Sequence, residues 1–168
     1  QPARVCQGQR ICMHQQTASV LTHKLVSDEE TRSYFPFDFE LYITHRLEER
    51  QISVEWKVVN TSGEIMYFTI GGHPGFRVPI WEGSRQSDYY LLFQKGPALK
   101  YKLVYGDSGT ADAAREYTLN LVEADGYYRC PITEHMFDRD ALIFDDTQVE
   151  WVGIGSPDGT PYVVMECE

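Results

Sequence analysis

The chain contains two neighbouring runs in which apolar and polar residues alternate, and this alternation constrains the fold more than any other feature. The runs are "FDFELYITHRL" and "ISVEWKVVN", and the short polar stretch "EERQ" turns the chain between them. A period of two places successive side chains on opposite faces of a β-strand. The apolar positions that share one face are Phe37, Phe39, Leu41, Ile43 and Leu47 in the first run and Ile52, Val54, Trp56 and Val58 in the second. We therefore predict an antiparallel hairpin with one buried face and one solvated face.

A third alternating run, "IMYFTIGG", follows after the turn-like stretch "NTSGE". Met66, Phe68 and Ile70 would share one face of this strand. Short turns between three alternating runs are typical of an antiparallel meander, so a third strand is predicted over residues 65–72.

The rest of the chain also predicts strands, with little helix. Ser27 and Glu30 have the spacing of a capping box, which predicts one short helical turn in "SDEETRSYF". The stretch "TEHMFDRD" is interpreted as a turn, and residues 1–17 as an irregular segment. Further strands are predicted at residues 19–26, 88–95, 100–106, 116–122, 141–146 and 161–168. About eight to ten strands indicate an all-β fold, and we predict an antiparallel β-sandwich over residues 18–168.

Charge and composition exclude several classes of partner. The chain has 15 basic and 25 acidic side chains and a net charge of −10. Nucleic acids and anionic membrane surfaces both require a positive patch, so neither is an expected partner. No run is long and apolar enough for a membrane span or a signal peptide. The four cysteines have no metal-ligand spacing and favour free thiols in a reducing, cytoplasmic compartment, with a disulfide framework as the alternative.

The motif "GGHPGF" carries the clearest chemical signal. Gly71 and Gly72 allow unusual backbone conformations or a close approach to a ligand, while Pro74 favours an extended conformation at His73. A histidine that faces a cleft can act as a general acid or base near neutral pH. Phe76 can offer an apolar ring face to the C–H groups of a sugar. The alternative is a turn histidine that only satisfies local hydrogen bonds.

Two carboxylates are further candidates. Glu166 lies in the apolar run "YVVMECE", where burial in a strand would raise its pKa and make it a usable base. Asp140 begins "DALIFDD" after the turn-like stretch. By spacing alone, a cap or a surface position fits each carboxylate better than a catalytic role.

The segment "YFPFDFELYITHRLEERQISVEWKVVNTSGEIMYFTIGGHPGFRVP" resembles the aldose 1-epimerase (galactose mutarotase-like) family, in particular a bacterial branch with "PFDFEL" and "GGHPGF" motifs. "DALIFDD" and "VGIGSPDGTPYVVMECE" resemble the family's closing segments. The resemblance implies a large β-sandwich that cradles a sugar and interconverts its α and β anomers. It implies that His73 is the catalytic acid, Glu166 the catalytic base and Asp140 a ligand of sugar hydroxyls.

The same resemblance implies an aldose as the small-molecule partner, with no cofactor and no metal. We assign Phe76 and Arg77 as further substrate-binding residues. Family members are much longer, so the chain is expected to be a truncated or incomplete member of the family. The alternatives are a carbohydrate-binding sandwich without catalysis, a sugar-phosphate epimerase that would use cations such as Arg77 and Arg85, and an interaction module that self-associates through open sheet edges.

Overall fold

A computed structural model describes residues 11–106, 109–145 and 147–167. The chain divides into two compact units, Gln1–Gly72 and His73–Glu168. The elements of the first unit are β1 (Cys12–Gln16), β2 (Val20–Val26), α1 (Glu29–Tyr34), β3 (Phe39–Glu48) and β4 (Gln51–Asn60). Those of the second are a 3₁₀ turn (Gln86–Asp88), β5 (Tyr90–Phe93), β6 (Ala98–Leu103), β7 (Tyr117–Asn120), β8 (Val122–Ala124), β9 (Tyr127–Pro131), β10 (Leu142–Ile143), β11 (Trp151–Gly155) and β12 (Pro161–Glu166). The all-β, antiparallel prediction is confirmed.

The first unit is built on one antiparallel sheet with the strand order β1-β2-β3-β4. The predicted hairpin is confirmed: β3 and β4 pair without interruption from Phe39↔Asn60 to Glu48↔Gln51. Only two residues connect the strands, and Glu49 takes a left-handed conformation with φ of 50°. Such a conformation matches the twist of a two-residue hairpin turn.

The two faces of this sheet differ in the way the alternation predicts. On the apolar face, Leu25, Phe39 and Leu41 are buried and form a core. On the opposite face, Lys24 donates to Glu40 at 2.8 Å, and the Tyr42 hydroxyl donates to the same carboxylate at 2.6 Å. These hydrogen bonds, first from Lys24 and then from Tyr42, lower the pKa of Glu40.

The predicted helical turn is present as α1, but its cap is formed by other residues than expected. Asp28, not Ser27, is the N-cap, and its carboxylate accepts from the Thr31 amide at 2.8 Å. The Thr31 hydroxyl in turn accepts from the Asp28 amide at 2.7 Å. The reciprocal pair is a capping box with threonine in place of glutamate, one residue further along the chain than predicted.

Two predictions for this unit are wrong. Residues 65–72 do not form a strand, and Ile65, Tyr67 and Phe68 are 74%, 80% and 50% exposed. Alternation sets the faces of a strand, but the backbone also needs a neighbour, and none of the described strands pairs there. Conversely, part of the segment predicted to be irregular is ordered, because Cys12–Gln16 pair with β2 as strand β1.

The second unit contains two antiparallel sheets, with strand orders β10-β6-β7 and β12-β11-β5-β9-β8. Phe93 and Cys130 from the five-stranded sheet pack with Leu99 and Leu121 in one core, so the two sheets bury a common interior. Burial raises the pKa of the Cys130 thiol to about 11. The strands predicted near β5, β6, β7, β10 and β12 are confirmed, whereas β8, β9 and β11 were not predicted.

The centre of the five-stranded sheet is packed around Leu92, which is fully buried. A Cβ added to Gly155 would lie 3.1 Å from a Leu92 methyl group, and one added to Gly153 would lie 2.9 Å from the Val163 carbonyl. Both glycines of "WVGIG" therefore allow β11 to pack closely against its neighbours.

The described cysteines Cys12, Cys130 and Cys167 are free thiols. None of the helices within the described residues combines the length and the hydropathy of a membrane span. The prediction that residues 18–168 form a single sandwich domain stays a prediction.

We predict that Leu92→Ala lowers the free energy of unfolding by about 2–5 kcal/mol, because it removes a fully buried side chain and leaves a cavity. Val122→Ala is the control: Val122 is 65% exposed, so its truncation should change that free energy by less than about 0.5 kcal/mol. Urea denaturation followed by tryptophan fluorescence measures both. Equal effects of the two substitutions would contradict the assigned core.

Candidate functional site

The segment that carries His73 is irregular and exposed. His73, Phe76 and Arg77 are all exposed, Phe76 to 42%. A Cβ added to Gly71 or Gly75 would meet no atom within 4 Å, and neither glycine has a positive φ. These two glycines are therefore not required for a left-handed backbone conformation. The motif leaves open space around the backbone that flanks His73.

The end of this segment is anchored by Tyr89, a residue that sequence reasoning missed. The Tyr89 hydroxyl accepts from the Ile80 amide at 2.8 Å and from the Trp81 amide at 3.1 Å. It lies 3.2 Å from the Ser84 hydroxyl, which itself donates to the Trp81 carbonyl at 2.7 Å, so Tyr89 is the donor to Ser84. The phenol is fully buried and has all its hydrogen bonds.

This environment also changes the acidity of Tyr89. Burial acts to raise the pKa of the phenol, but the hydrogen bond with Ser84 and those from the two amides outweigh burial and lower it. Amide donors stabilise the charge of a phenolate more than they stabilise the neutral phenol. The anchor therefore fixes the backbone of Ile80 and Trp81 next to β5, seven residues after His73.

The structure places Glu166 at the end of β12, in an exposed position opposite Trp151. The surface position, which spacing alone favours for this carboxylate, is therefore the one that the structure shows. β12 is the outermost strand of its sheet, so no strand among the described residues covers its far side.

The pairing of β11 with β5 and with β12 shows that Glu166 lies far along the sheet from the start of β5. Tyr90 pairs with Gly155 and Phe93 pairs with Val152, so Trp151 and its partner Glu166 lie beyond the Phe93 end of β5. The chain that carries His73 enters the sheet at the other end, through Tyr89. The level of Tyr90 and the level of Glu166 are four residues apart along the strands, which is about 13 Å at a rise of about 3.3 Å per residue.

Asp140 lies on a cavity of about 540 Å³. Its backbone takes a left-handed conformation with φ of 73°, which aspartate tolerates better than most residues. The described residues that line the cavity are Val104, Gly106, Gly109, Asp138, Arg139 and Asp140.

Asp138 and Arg139 are site candidates that sequence reasoning overlooked. Both sit in the turn "TEHMFDRD", where two carboxylates flank one guanidinium. The ring of His135 lies 2.9 Å from the Asp138 carboxylate. The charged residues that directly precede Asp140 in the sequence are the signal from which these two candidates could have been predicted. Neither His73 nor Glu166 is among the described residues that line this cavity.

Within the described residues, no cluster of three or more His, Cys, Asp or Glu side chains could hold a metal ion. The candidate residues come from three parts of the chain: the segment that carries His73, the lining of the Asp140 cavity and the end of β12.

Comparison with known proteins identifies the family. The aldose 1-epimerase family model matches residues 10–104, which is more than half of the chain and includes His73. The chain therefore belongs to the aldose 1-epimerase family. The plasmid and chromosomal LacX proteins of Lactococcus lactis subsp. lactis are 28% identical to it over 93 residues, which is 55% of this chain and 31% of theirs.

Solved structures agree on the fold. A galactose mutarotase related enzyme from Lactobacillus acidophilus superposes with a TM-score of 0.76 at 23% identity, over 90% of this chain and 49% of its own. A galactose mutarotase-like protein from Lactobacillus casei superposes with a TM-score of 0.68 at 23% identity, over 88% of this chain and 49% of its own. The chain thus spans about a third of the length of the LacX proteins and about half that of the solved structures.

We predict that Tyr89→Phe releases the anchored loop. The substitution keeps the buried ring but removes the oxygen that accepts from the Ile80 and Trp81 amides, so both amides lose a partner. Their hydrogen exchange, followed by NMR, should accelerate at least about tenfold. Tyr105→Phe is the matched control at a residue that is 63% exposed, and it should leave these two amides unchanged.

Proposed function

We propose that this chain acts as an aldose 1-epimerase, interconverting the α and β anomers of an aldose by acid–base opening of the sugar ring. The observation that carries the proposal is the exposed ring of His73 inside the residue range that matches the family model. An accessible imidazole ring can both give and take a proton, which is what acid–base opening of a sugar ring requires.

In the proposed reaction the two catalytic groups act on opposite sides of the C1–O bond of the ring. The Glu166 carboxylate removes the proton of the C1 hydroxyl, and protonated His73 gives its proton to the ring oxygen. The bond between C1 and the ring oxygen breaks as the C1 carbonyl forms. Rotation about the C1–C2 bond presents the other carbonyl face, and the ring closes again with the two roles exchanged. The exposed position of Glu166 keeps it accessible to a sugar.

The remaining candidates contact the substrate in this proposal. Asp140 accepts hydrogen bonds from hydroxyls of the sugar, and the neighbouring Arg139 supplies a donor. The exposed ring of Phe76 packs against the C–H face of the sugar, and Arg77 donates to its oxygens. Neutral hydroxyls suit a protein with a net charge of −10 better than a highly charged anion does.

We predict that His73→Asn and Glu166→Gln each reduce catalysed mutarotation about 10²- to 10⁴-fold, the usual contribution of one general acid or base. Polarimetry on freshly dissolved α-glucose and α-galactose measures the rate. Both positions are exposed, so circular dichroism and thermal unfolding should stay unchanged.

His14→Asn and Glu123→Gln are the matched controls, because they make the same chemical changes at exposed residues outside the proposed site. They should retain the rate of the unsubstituted chain. An unsubstituted rate in His73→Asn would rule out the proposed acid.

A second candidate function is carbohydrate binding without catalysis. It is favoured by one observation, the register that sets Glu166 about 13 Å along the sheet from the point where the His73 segment enters. Calorimetric binding of a sugar that Asp140→Asn weakens, together with anomer exchange no faster than in buffer, would select this candidate. Catalysed exchange that depends on both His73 and Glu166 would exclude it.

A further inference from the structure

The outer edge of β4 is open. β4 is the last strand in the order β1-β2-β3-β4, and within the described residues it pairs only with β3. It runs for ten residues without a proline and without a register shift. Natural sheets usually protect an edge by shortness, proline or a bulge, because its unpaired amides and carbonyls can pair with another strand. β4 has none of these three protections.

The hairpin turn determines which residues of β4 face outwards. Because two residues connect the strands, Glu48 and Gln51 form the hydrogen-bonded pair that closes the hairpin. Hydrogen-bonded pairs then recur at every second residue, so the odd-numbered residues of β4 bond to β3. The Thr61 amide continues this pattern by donating to the Asp38 carbonyl at 2.9 Å. The amides and carbonyls of Val54, Trp56 and Val58 therefore point away from β3.

The charges on β4 are complementary to themselves. Glu55 and Lys57 lie on the polar face on either side of Trp56. If two copies of β4 pair antiparallel with Trp56 on the two-fold axis, Glu55 of each copy lies opposite Lys57 of the other. A shift of the axis to Glu55 or to Lys57 would set like charges directly opposite each other, which is unfavourable. Among the axes at Glu55, Trp56 and Lys57, charge therefore favours Trp56.

The register with Trp56 on the two-fold axis also fits the directions of the backbone groups and the positions of the apolar side chains. It joins Trp56 to its own copy and Val54 to Val58 of the other copy, which are the residues whose backbone groups face outwards. It also brings their apolar side chains together on one face, where Trp56 is 38% and Ile52 is 68% exposed. Cross-strand aromatic and β-branched pairs stabilise sheets, and an interface with two-fold symmetry needs a self-complementary surface.

We propose that two copies of this chain associate through β4, in antiparallel register about Trp56, to form one continuous eight-stranded sheet from their two four-stranded sheets. The cross-strand pairs of Glu55 with Lys57 set the register, and the outward backbone groups of β4 supply the hydrogen bonds. This inference is independent of the proposed activity.

The test is charge reversal with rescue. Lys57→Glu places carboxylates opposite each other twice, and we expect it to weaken the dimer about tenfold in analytical ultracentrifugation. Glu55→Lys should weaken the dimer similarly by opposing two lysines. The double variant Glu55→Lys with Lys57→Glu restores opposite charges in the same register and should dimerise like the unsubstituted chain. Lys95→Glu is the control, because it makes the same change of net charge at an exposed residue of the second unit.

Amide hydrogen exchange tests the register directly and does not depend on the variants. The amides of Val54, Trp56 and Val58 should become protected as the protein concentration rises, and Lys57→Glu should reverse this protection. A chain that stays monomeric at every concentration would overturn the proposal. So would a dimer in which the double variant fails to recover, or one in which these three amides stay unprotected.

Discussion

The burial of β5 is the constraint on which the second unit depends. β5 lies between β11 and β9 at the centre of the five-stranded sheet, and Leu92 and Phe93 are almost completely buried. Phe93 faces the core that the two sheets share, while Leu92 packs against the glycines of β11. Tyr89 precedes the strand directly and holds the loop that follows the His73 segment. The packing that stabilises the sheet therefore also anchors one end of the candidate site.

The first unit depends on a single sheet that is stabilised by apolar packing on one face and by charged hydrogen bonds on the other. Leu25, Phe39 and Leu41 bury the apolar face at one end only. On the other face, Lys24 stabilises ionised Glu40 and lowers the pKa of its carboxyl group. The contribution of this pair to the free energy of unfolding is therefore present above the ordinary pKa of a carboxyl group and is lost as the pH falls. Ile52 on the apolar face is 68% exposed, beside an edge of β4 that no strand among the described residues pairs. Incomplete burial and an open edge thus occur in the same strand.

The sequence predicted those parts of the fold in which the local pattern and the tertiary neighbours agree. The β3–β4 hairpin was predictable because alternation, turn length and pairing partner all lie within 22 residues of sequence. Residues 65–72 have an equally clear alternation but no partner strand among the described residues, so periodicity alone was insufficient there. β11 was missed for the opposite reason, because Gly153 and Gly155 weaken its pattern while close packing requires them. In the candidate site, the motif identified His73, but the exposure of Glu166 depends on its tertiary surroundings, which no local pattern specifies.

The family match and the proposed chemistry rest on different parts of the chain. The matched range, residues 10–104, contains His73 but neither Asp140 nor Glu166. Ring opening moves one proton onto the ring oxygen and removes another from the C1 hydroxyl, so a histidine alone can assist only one of the two transfers. The second transfer needs a base that reaches the same sugar, and Glu166 belongs to an outer strand whose position depends on β11 and, through β11, on β5. The packing of Leu92 against Gly153 and Gly155 therefore matters to the proposed chemistry, because it holds the strand from which the base must act.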